Sequence, residues 1–183
     1  GEYITALKEA VRLSSQPKVI LLLGANIGNM PPAEADNFCS EIRQYLSPND
    51  LAIIGFDLKK HPWVIFKAYN DPSGITRQFN LNLLERINRE LYADFKTEQF
   101  DHYESYDPET GACRSYLISL KDQEVTIGDT IISFAANEYI FTETSHKYTV
   151  EETDRMAIKS GFKPLAHLFD SKKWFTDVIW EAV

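Results

Sequence analysis

The stretch from Val19 to Asn29 restricts the fold of this chain more than any other. Its first half, Val19–Leu23, is an uninterrupted apolar run of strand length, and its second half, Gly24–Asn29, is a polar loop with two glycines. An α/β fold presents ligands in this way, on loops that follow the carboxyl ends of parallel strands. No Gly-x-Gly-x-x-Gly loop comes before it, and only 18 residues precede the strand. We therefore expect the sequence to enter a nucleotide-binding architecture partway through.

A strand, a helix and a second strand follow one another in the first sixty residues. Pro31-Pro32 marks a helix start, because proline is tolerated where the first backbone amides have no helical partner. Apolar residues then recur at helical spacing, and Leu51–Phe56 is predicted to be a second buried strand that leads to Asp57. Such a unit is normally parallel and right-handed. We expect Val19–Leu23 to be a central strand that helices cover on both faces.

The pattern changes after Lys59. Asp71-Pro72-Ser73-Gly74 predicts a tight turn. Ile75–Tyr92 has the spacing of an amphipathic helix, and the polar, aromatic stretch Asp94–Gly111 is predicted to be irregular. Four short β-branched or alternating runs then predict antiparallel strands: Cys113–Leu120, Glu124–Ile127, Thr130–Phe134 and Tyr139–Phe141. We therefore expect an inserted α+β module over residues 59–147.

The parallel pattern resumes near the end of the chain. Thr149 and Glu152 have the spacing of a capping box, and the helix that follows is expected to end at Ser160. Leu165–Phe169 and Trp174–Trp180 then predict an antiparallel pair of strands. The two ends of the chain are therefore expected to form one α/β domain, the carboxyl-terminal half of a doubly wound sheet, around the insertion.

Composition narrows the classes of partner. A formal net charge of −8 disfavours tight binding to a nucleic-acid backbone, which requires a basic surface, so no nucleic-acid partner is expected. The longest apolar run is far shorter than a membrane span, and no signal-peptide pattern opens the chain. Cys39 and Cys113 are expected to be buried thiols in a reducing compartment. These observations predict a cytoplasmic protein without a membrane segment.

The loop Gly24–Asn29 is the first candidate binding element. Gly24 allows a ligand to approach the end of the strand closely, and Gly28 can take a positive φ without penalty. The Asn29 amide offers both a donor and an acceptor, so it can engage an amine and a carboxylate. The alternative is a plain turn in which Asn29 caps the next helix. No lysine follows the second glycine, so the loop is not a phosphate-binding P-loop.

A second candidate lies in the stretch Phe141–Tyr148. On an extended backbone Glu143 and Ser145 project to the same side, where a carboxylate and a hydroxyl together could hold an imidazole or another polar group. The alternative is a solvated edge strand. The four histidines of the chain are scattered without metal-ligand spacing, and no nucleophile motif accompanies them, so no metal site is expected.

At these residues the sequence resembles the carboxyl-terminal portion of the histidine Nα-methyltransferases, the S-adenosylmethionine enzymes that begin ergothioneine biosynthesis. The matching stretches are LLLGANIGN (21–29), GFDLKK (55–60), AYNDPSGIT (68–76), FNLNLLERINRELYADF (79–95) and ETSHKY (143–148). The resemblance implies that residues 1–58 and 148–183 form part of a seven-stranded, methyltransferase-like nucleotide-fold domain. It implies that the inserted module binds the amino acid.

The resemblance also implies roles for individual residues. Asn29 would contact the backbone groups of the substrate amino acid, and Tyr69 would contact its carboxylate. Glu143 and Ser145 would hold its imidazole. Gly24 is the one residue assigned to the side of the methyl donor, S-adenosylmethionine.

The implied reaction moves a methyl group from a sulfonium to the α-amine of an amino acid, with histidine as the expected substrate. The task of the enzyme is then to align an uncharged amine with the methyl group and to exclude water. No residue is an obvious dedicated base, so none is assigned as catalytic. The glycine-rich donor loop and the acidic residue for the ribose would precede residue 1. We therefore expect the chain alone to bind the donor poorly and to turn over little.

A non-catalytic module is the alternative from another functional class. Such a module would keep the amino-acid pocket, or it would assemble with a second chain. Without the first half of the sheet, Val19–Leu23 would have an unpaired edge, and such an edge favours self-association.

Overall fold

The computed structural model of the chain describes residues 3–13 and 15–183. The chain forms two compact units, which are described separately. Unit 1 takes in the residues up to Lys60 together with Ser145–Val183, and unit 2 is His61–Thr144. These bounds lie two and three residues inside the limits 59 and 147 of the predicted insertion. The binding of a substrate by unit 2 stays a prediction.

The helices and strands alternate in unit 1, whereas strands dominate the second half of unit 2. The helices are α1 (Tyr3–Arg12), α2 (Pro32–Arg43), α3 (Pro62–Tyr69), α4 (Ile75–Leu91) and α5 (Val150–Lys159). The strands are β1 (Val19–Leu22), β2 (Leu51–Asp57), β3 (Phe100–Tyr106), β4 (Ala112–Ser119), β5 (Gln123–Ile127), β6 (Thr130–Phe134), β7 (Tyr139–His146), β8 (Phe162–Phe169) and β9 (Phe175–Ala182). Short 3₁₀ turns occupy Asn26–Asn29 and Thr97–Gln99. Among residues 3–13 and 15–183, no helix combines the length and the apolar character that crossing a membrane requires.

Unit 1 contains a mixed four-stranded sheet in the order β1-β2-β9-β8. β1 and β2 run parallel, with Val19 opposite Leu51. β9 runs antiparallel to both of its neighbours. The predicted α/β class, the parallel pair and the final antiparallel hairpin are confirmed.

The core of unit 1 lies on one face of this sheet. Ile20 of β1, Ile54 of β2 and Trp180 of β9 are buried there together with Cys39 of α2 and Met156 of α5. Because side chains alternate between the two faces of a strand, one face of the sheet carries this whole apolar set. The remaining helix, α1, lies beside α2: the rings of Tyr3 and Phe38 are 5.4 Å apart. Helices α2 and α5 therefore cover the same face of the sheet.

The prediction that helices cover both faces of β1 is wrong for the described part of the chain. Burial alternates along the strand, with Ile20 and Leu22 inside and Val19 and Leu21 outside. Leu21 is 56% exposed, and Leu23 directly after the strand is 49% exposed. The physical reason is that β1 is an end strand whose outer face meets no described helix.

Local sequence signals account for where α2 and α5 begin. The Thr149 hydroxyl accepts from the backbone N–H of Glu152, and the Glu152 carboxylate accepts from the backbone N–H of Thr149. This is the reciprocal capping box that the spacing predicts, and it starts α5 at Val150. Helix α2 has Pro32 at its first position, as the Pro31-Pro32 signal predicts.

Unit 2 combines a three-stranded sheet, β3-β4-β7, with the β5-β6 hairpin and helix α4. Its core is a cluster of buried apolar side chains: Leu81, Leu84, Phe95, Phe100, Leu117, Val125 and Phe134. The rings of Phe95 and Phe134 each lie close to that of Phe100, with centroids 5.6 Å apart in both pairs. The predicted antiparallel pairing is confirmed for β5 with β6.

Two elements of unit 2 differ from the prediction. The stretch Asp94–Gly111, expected to be irregular, contains β3, which pairs antiparallel with β4 over its whole length. Its alternation is hidden because one inward position carries the carboxyl group of Glu104, which is buried. Helix α3 has no counterpart in the prediction. It starts with Pro62, after His61, whose ring nitrogen Nδ1 accepts from the backbone N–H of Trp63.

Candidate functional site

The loop after β1 begins with two residues in the left-handed region. Gly24 has φ 81° and Ala25 has φ 58°. A Cβ on Gly24 would meet no atom closer than 3.9 Å, so the backbone angle, and not a lack of space, favours glycine here. The Asn26 side-chain amide donates to the carbonyl oxygen of Leu23 at 3.2 Å, which ties the loop to the end of the strand. The chain thus turns sharply after β1, and no side chain projects from it at Gly24.

The second glycine of the loop has a different role. Ile27 is 1% exposed and anchors the 3₁₀ turn in the core of unit 1. A Cβ on Gly28 would lie 2.7 Å from the carbonyl oxygen of His146. Gly28 therefore allows the loop to touch the backbone between Ser145 and Lys147. Two of the sequence-predicted elements, the Asn29 loop and the Ser145 segment, are brought together in unit 1 by this contact.

Asn29 is the last residue of the 3₁₀ turn and is exposed. The N-cap of α2 is Pro31, and no side chain caps that helix. The alternative in which Asn29 serves as a helix cap is therefore wrong. Its side chain is exposed in the loop that follows β1.

Ser145 takes part in a charged cluster that the sequence reasoning missed. The Lys147 ammonium donates to Ser145 Oγ at 2.8 Å, and the same Nζ atom lies 3.0 Å from Asp57 Oδ2. The other oxygen of Asp57 accepts from Lys60 Nζ. The side chain of Lys147 is only 2% exposed, whereas that of Asp57 is 26% exposed.

Backbone hydrogen bonds hold this cluster in register. The N–H of Tyr148 donates to the carbonyl of Asp57 at 3.0 Å, and the N–H of Lys59 donates to the carbonyl of Tyr148 at 2.8 Å. These bonds form a parallel bridge between Leu58 and Tyr148. The end of β2 and the chain after β7 are therefore aligned, which places Lys147 beside Asp57.

Tyr69 ends helix α3 in unit 2 and is half-buried. It lines a shallow concavity of about 320 Å³ together with Asp71, Arg77 and His102. Arg77 is not available as a free cation there, because its Nε lies 2.6 Å from Asp101 Oδ1. The surroundings of Tyr69 are thus polar, and the cation among them, Arg77, is paired with Asp101.

The turn after Tyr69 is held by one carboxylate. Asp71 accepts from the backbone N–H groups of Ile75 and Thr76 at 3.0 and 2.9 Å and from the Ser73 hydroxyl. These hydrogen bonds hold the pKa of Asp71 well below its usual range, and the bond from Ser73 makes the largest contribution. They also start α4, because the amides at a helix start need acceptors. The predicted turn at Asp71–Gly74 is therefore confirmed, with its acid as the cap of α4.

Glu143 lies near the end of β7, and its side chain is exposed. The preceding residue fixes the strand: the Thr142 hydroxyl is 3.1 Å from Asn80 Oδ1 of α4 and 3.0 Å from the Ser115 carbonyl of β4. Glu143 lines a concavity of about 270 Å³ beside Phe79 and Arg86 of α4. This concavity differs from the one that Tyr69 lines.

The five residues predicted for the site fall into two sets. Gly24, Asn29 and Ser145 belong to unit 1, where Gly28 places the loop and the Ser145 segment in contact. Tyr69 and Glu143 belong to unit 2 and line separate concavities. Glu143 and Ser145 are both residues of β7, whose last two residues belong to unit 1.

Unit 2 also buries a polar cluster that no sequence signal indicates. Glu104 is 1% exposed, and its carboxylate accepts from the Cys113 thiol at 2.8 Å and from the Ser115 hydroxyl. The ring of His102, with Nε2 3.5 Å from the carboxylate, completes the cluster. A burial pattern that alternates in β4 could have located Cys113 and Ser115, but only pairing with β3 brings the acid to them.

Comparisons with known proteins identify the family of the chain. The chain is 32% identical over 162 residues to the histidine N-alpha-methyltransferase of Mycolicibacterium smegmatis, a match that covers 87% of the chain and 48% of that protein. It is 32% identical over 164 residues to ergothioneine biosynthesis protein 1 of Neurospora crassa, covering 87% of the chain and 18% of that protein. The chain thus spans about half the length of the mycobacterial relative.

The similarity to solved structures is more distant. The CcbJ methyltransferase from Streptomyces caelestis superposes with a TM-score of 0.49 at 12% identity, covering 93% of this chain and 63% of that one. A family model described as histidine-specific, SAM-dependent methyltransferase matches residues 1–182. Since this match takes in nearly the whole chain, the chain belongs to the family of S-adenosylmethionine-dependent, histidine-specific methyltransferases.

Proposed function

We propose that the protein to which this chain belongs methylates the α-amine of an amino acid, with histidine as the substrate and S-adenosylmethionine as the methyl donor. The family description and the names of the mycobacterial relatives support histidine as the substrate. The observation that carries the proposal is the contact of the Asn29 loop with the backbone next to Ser145. That contact supports the proposal because the loop carries Asn29, whose amide suits an amino acid's backbone groups, and the segment carries Ser145, whose hydroxyl suits a polar side chain.

Each residue has a role that its chemistry allows. The Asn29 amide would pair its donor and its acceptor with the carboxylate and the amine of the substrate. The Tyr69 hydroxyl would donate to the carboxylate. Glu143 would accept from an imidazole N–H, and Ser145 would bind the second ring nitrogen. Gly24, without a side chain at the end of β1, would let the donor approach closely.

The reaction requires alignment more than chemical assistance. The lone pair of the uncharged amine attacks the sulfonium methyl group, the new C–N bond forms, and the C–S bond breaks to leave a thioether. The amine has to lose a proton before each attack, and no residue of this chain is assigned as its base. Contacts at both ends of the amino acid would supply the alignment, which can contribute several powers of ten to a rate.

Calorimetry on two proteins tests the function as a whole. L-histidine and S-adenosylmethionine are each titrated into the 183-residue chain and into the complete product of its gene. We expect the complete product to bind both molecules and to methylate histidine, and the 183-residue chain to bind the donor poorly and to turn over little. Robust methylation by the 183-residue chain would show that this expectation is wrong. Histidine binding without donor binding in either protein would favour the non-catalytic module.

Two substitutions test the assignment of the imidazole contacts in the complete product. Glu143→Gln and Ser145→Ala are each expected to raise the KM for histidine by about tenfold, the effect of one lost hydrogen bond of ordinary to charge-assisted strength. Glu124→Gln, at an exposed position of β5, is the matched control and should leave the KM unchanged. Unchanged KM values in both site variants would remove these residues from the proposal.

Asn29 is tested by Asn29→Ala, with the exposed Asn37→Ala on α2 as control. We expect weaker binding of every amino acid with a free carboxylate and amine, histidine and non-histidine alike. A loss confined to histidine would contradict the role of Asn29 at the backbone groups. We also propose that the protein is cytoplasmic, because Cys39 and Cys113 are buried thiols and not a disulfide.

A further inference from the structure

The side chain of Lys147 in unit 1 is only 2% exposed, and the burial of its ammonium group needs an explanation. Removing a charge from water is costly unless partners replace the lost hydration. Asp57 supplies the counter-charge at 3.0 Å, and Ser145 Oγ supplies an acceptor at 2.8 Å. Asp57 is shared with Lys60, so its single negative charge faces two ammonium groups. The bond to Ser145 is the contact that links Lys147 to the candidate site.

The direction of that bond follows from the chemistry of the two groups. An ammonium has only donors, so Ser145 Oγ has to accept from Lys147. The Ser145 O–H proton therefore points away from Lys147 and is offered to another acceptor. Because hydrogen bonds in a chain polarise one another, a hydroxyl that accepts from a cation is also a stronger donor.

The position of Lys147 does not depend on its own side chain alone. Its backbone follows β7 and is aligned with the end of β2 through the bridge between Leu58 and Tyr148. Gly28 of the Asn29 loop touches the carbonyl of His146, directly between Ser145 and Lys147. The backbone that carries Ser145 and Lys147 is thus fixed by two segments, and at His146 it touches the loop that ends at Asn29.

We propose that Lys147, held by Asp57, is a positioning residue that sets Ser145 as a hydrogen-bond donor to the substrate. This inference rests on the proposed function, since it names what Ser145 selects at that site. The site then favours a ring that presents a nitrogen acceptor to Ser145, which is the neutral form of an imidazole. A ring of the same shape without such an acceptor gains nothing from Lys147.

A comparison of two ligands separates this role from a purely structural one. The dissociation constants of L-histidine and of β-(2-thienyl)-L-alanine, whose ring has no nitrogen, are measured for the complete gene product. Ser145→Ala is expected to weaken histidine binding by about tenfold and to leave the thienyl ligand unchanged. Lys147→Met is expected to weaken histidine binding by about threefold to tenfold, again with little change for the thienyl ligand. In the Ser145→Ala background, Lys147→Met should have no further effect.

Matched variants keep the result interpretable. Lys159→Met removes an exposed lysine that pairs with Asp36 in the same unit, and it should change neither dissociation constant. In Lys147→Met, Asp57 keeps only its contact with Lys60. If that variant does not fold, the double variant Asp57→Asn/Lys147→Met removes the charge of both Asp57 and Lys147. A third arm uses the wild-type protein: the ¹⁵N resonance of the Lys147 ammonium should shift with histidine and not with the thienyl ligand.

Several outcomes would overturn the inference. Equal loss of affinity for both ligands in Lys147→Met would make Lys147 a structural residue only. If Lys147→Met weakens histidine binding equally in the Ser145→Ala background, Lys147 does not act through the Ser145 hydroxyl. In the wild-type protein, identical shifts of the Lys147 ammonium resonance with the two ligands would contradict the inference. Failure of the wild-type protein to bind histidine would instead overturn the proposed function, and the inference with it.

Discussion

At the scale of single residues, carboxylates organise the turns of this chain. Asp71 accepts from two backbone amides and from a hydroxyl at the start of α4. Asp170 does the same in the β8-β9 hairpin, where it accepts from the amides of Lys172, Trp174 and Phe175. In both, hydrogen bonds to the ionised form hold the pKa of the acid below its ordinary value. Such acids contribute to stability only while they are ionised.

Asp71→Asn is predicted to destabilise unit 2 at neutral pH. The folded-state pKa of Asp71 is lowered, so its contribution is complete above the ordinary pKa of about 3.9 and is lost as the pH falls through the lowered pKa. Urea unfolding of both proteins at pH 7 and at stepwise lower pH should therefore show a difference in midpoint that shrinks with acid. The control is Asp129→Asn in the exposed β5-β6 turn. A difference that stays constant with pH would contradict the ionised cap.

Cys39 is predicted to be unreactive in the folded chain. Burial in the core, with a smaller contribution from Asp36, raises the pKa of its thiol to about 12, so almost no thiolate forms near neutral pH. Since the thiolate is the reactive form, a disulfide reagent at pH 8 should label Cys39 only in urea. Ser171→Cys, at an exposed turn position, provides the positive control in the same protein. Rapid labelling of Cys39 without urea would contradict the packing of α2.

At the scale of elements, close backbone contacts form the candidate site. The 3₁₀ turn approaches His146 because Gly28 has no side chain, and Gly55 of β2 leaves room for the ring of Phe175 and for the backbone of Gly24. At both positions glycine is needed because a Cβ would clash with a neighbouring atom. The loop and the Ser145 segment are therefore sensitive to a single added methyl group.

Gly28→Ala is predicted to separate the Asn29 loop from the Ser145 segment. The added Cβ would lie 2.7 Å from the His146 carbonyl oxygen, so one of the two backbones has to move. We expect a loss of about 1–3 kcal/mol in the free energy of unfolding, as for other overpacked sites, together with weaker histidine binding. Thermal unfolding and calorimetry measure the two effects. Gly128→Ala, where no atom lies within 4 Å of the new Cβ, reports backbone strain without a clash. Histidine binding that survives Gly28→Ala intact would contradict the role of this contact.

Elements whose signals are local could be predicted from the sequence. The capping box at Thr149 and the turn at Asp71 depend on residues within a few positions of each other, and both are confirmed. Strand β3 could not be predicted, because its inward carboxyl group at Glu104 is satisfied only by side chains of β4. Helix α3 was missed because its cap is a histidine, which is not among the preferred capping residues.

The residues of the candidate site likewise divide into those that a local sequence signal indicates and those that only the fold brings together. Asn29, Tyr69, Glu143 and Ser145 could be chosen because each stands in a short recognisable stretch, and their roles stay predictions. Lys147 and Asp57 are 90 positions apart in the sequence and meet only in the folded chain. No local pattern indicates that a lysine after β7 is buried against an acid at the end of β2.

At the scale of the whole molecule, the sheet of unit 1 has one covered face and one open face. Val19, Leu21 and Leu23 place apolar side chains on the open face, and β1 has a strand partner on one side only within the described residues. An apolar end strand of this kind is a template for pairing with another chain. The open face therefore bears on how the 183-residue chain behaves in solution.

The 183-residue chain is predicted to self-associate through β1 at micromolar to millimolar concentrations. Leu21→Lys should weaken the association, because it places a charge on the open face without disturbing the buried one. Sedimentation velocity over a range of concentrations measures the effect. Ile158→Lys, at an exposed position of α5, introduces the same charge elsewhere in unit 1 and is the control. A monomer at all concentrations, or equal effects of the two substitutions, would exclude this mode of association.

The order of strands in unit 1 has a consequence for biosynthesis. The last strand of the chain, β9, lies inside the sheet between β2 and β8, and its Trp180 and Val178 are fully buried. After β2 ends at Asp57, a ribosome has 117 more residues to add before it reaches Phe175, the first residue of β9. At ordinary rates of translation this takes roughly 6 to 24 seconds. Unit 2 is contiguous in sequence and is synthesised completely within that interval, whereas the four-stranded sheet of unit 1 stays incomplete until β9 has left the ribosome.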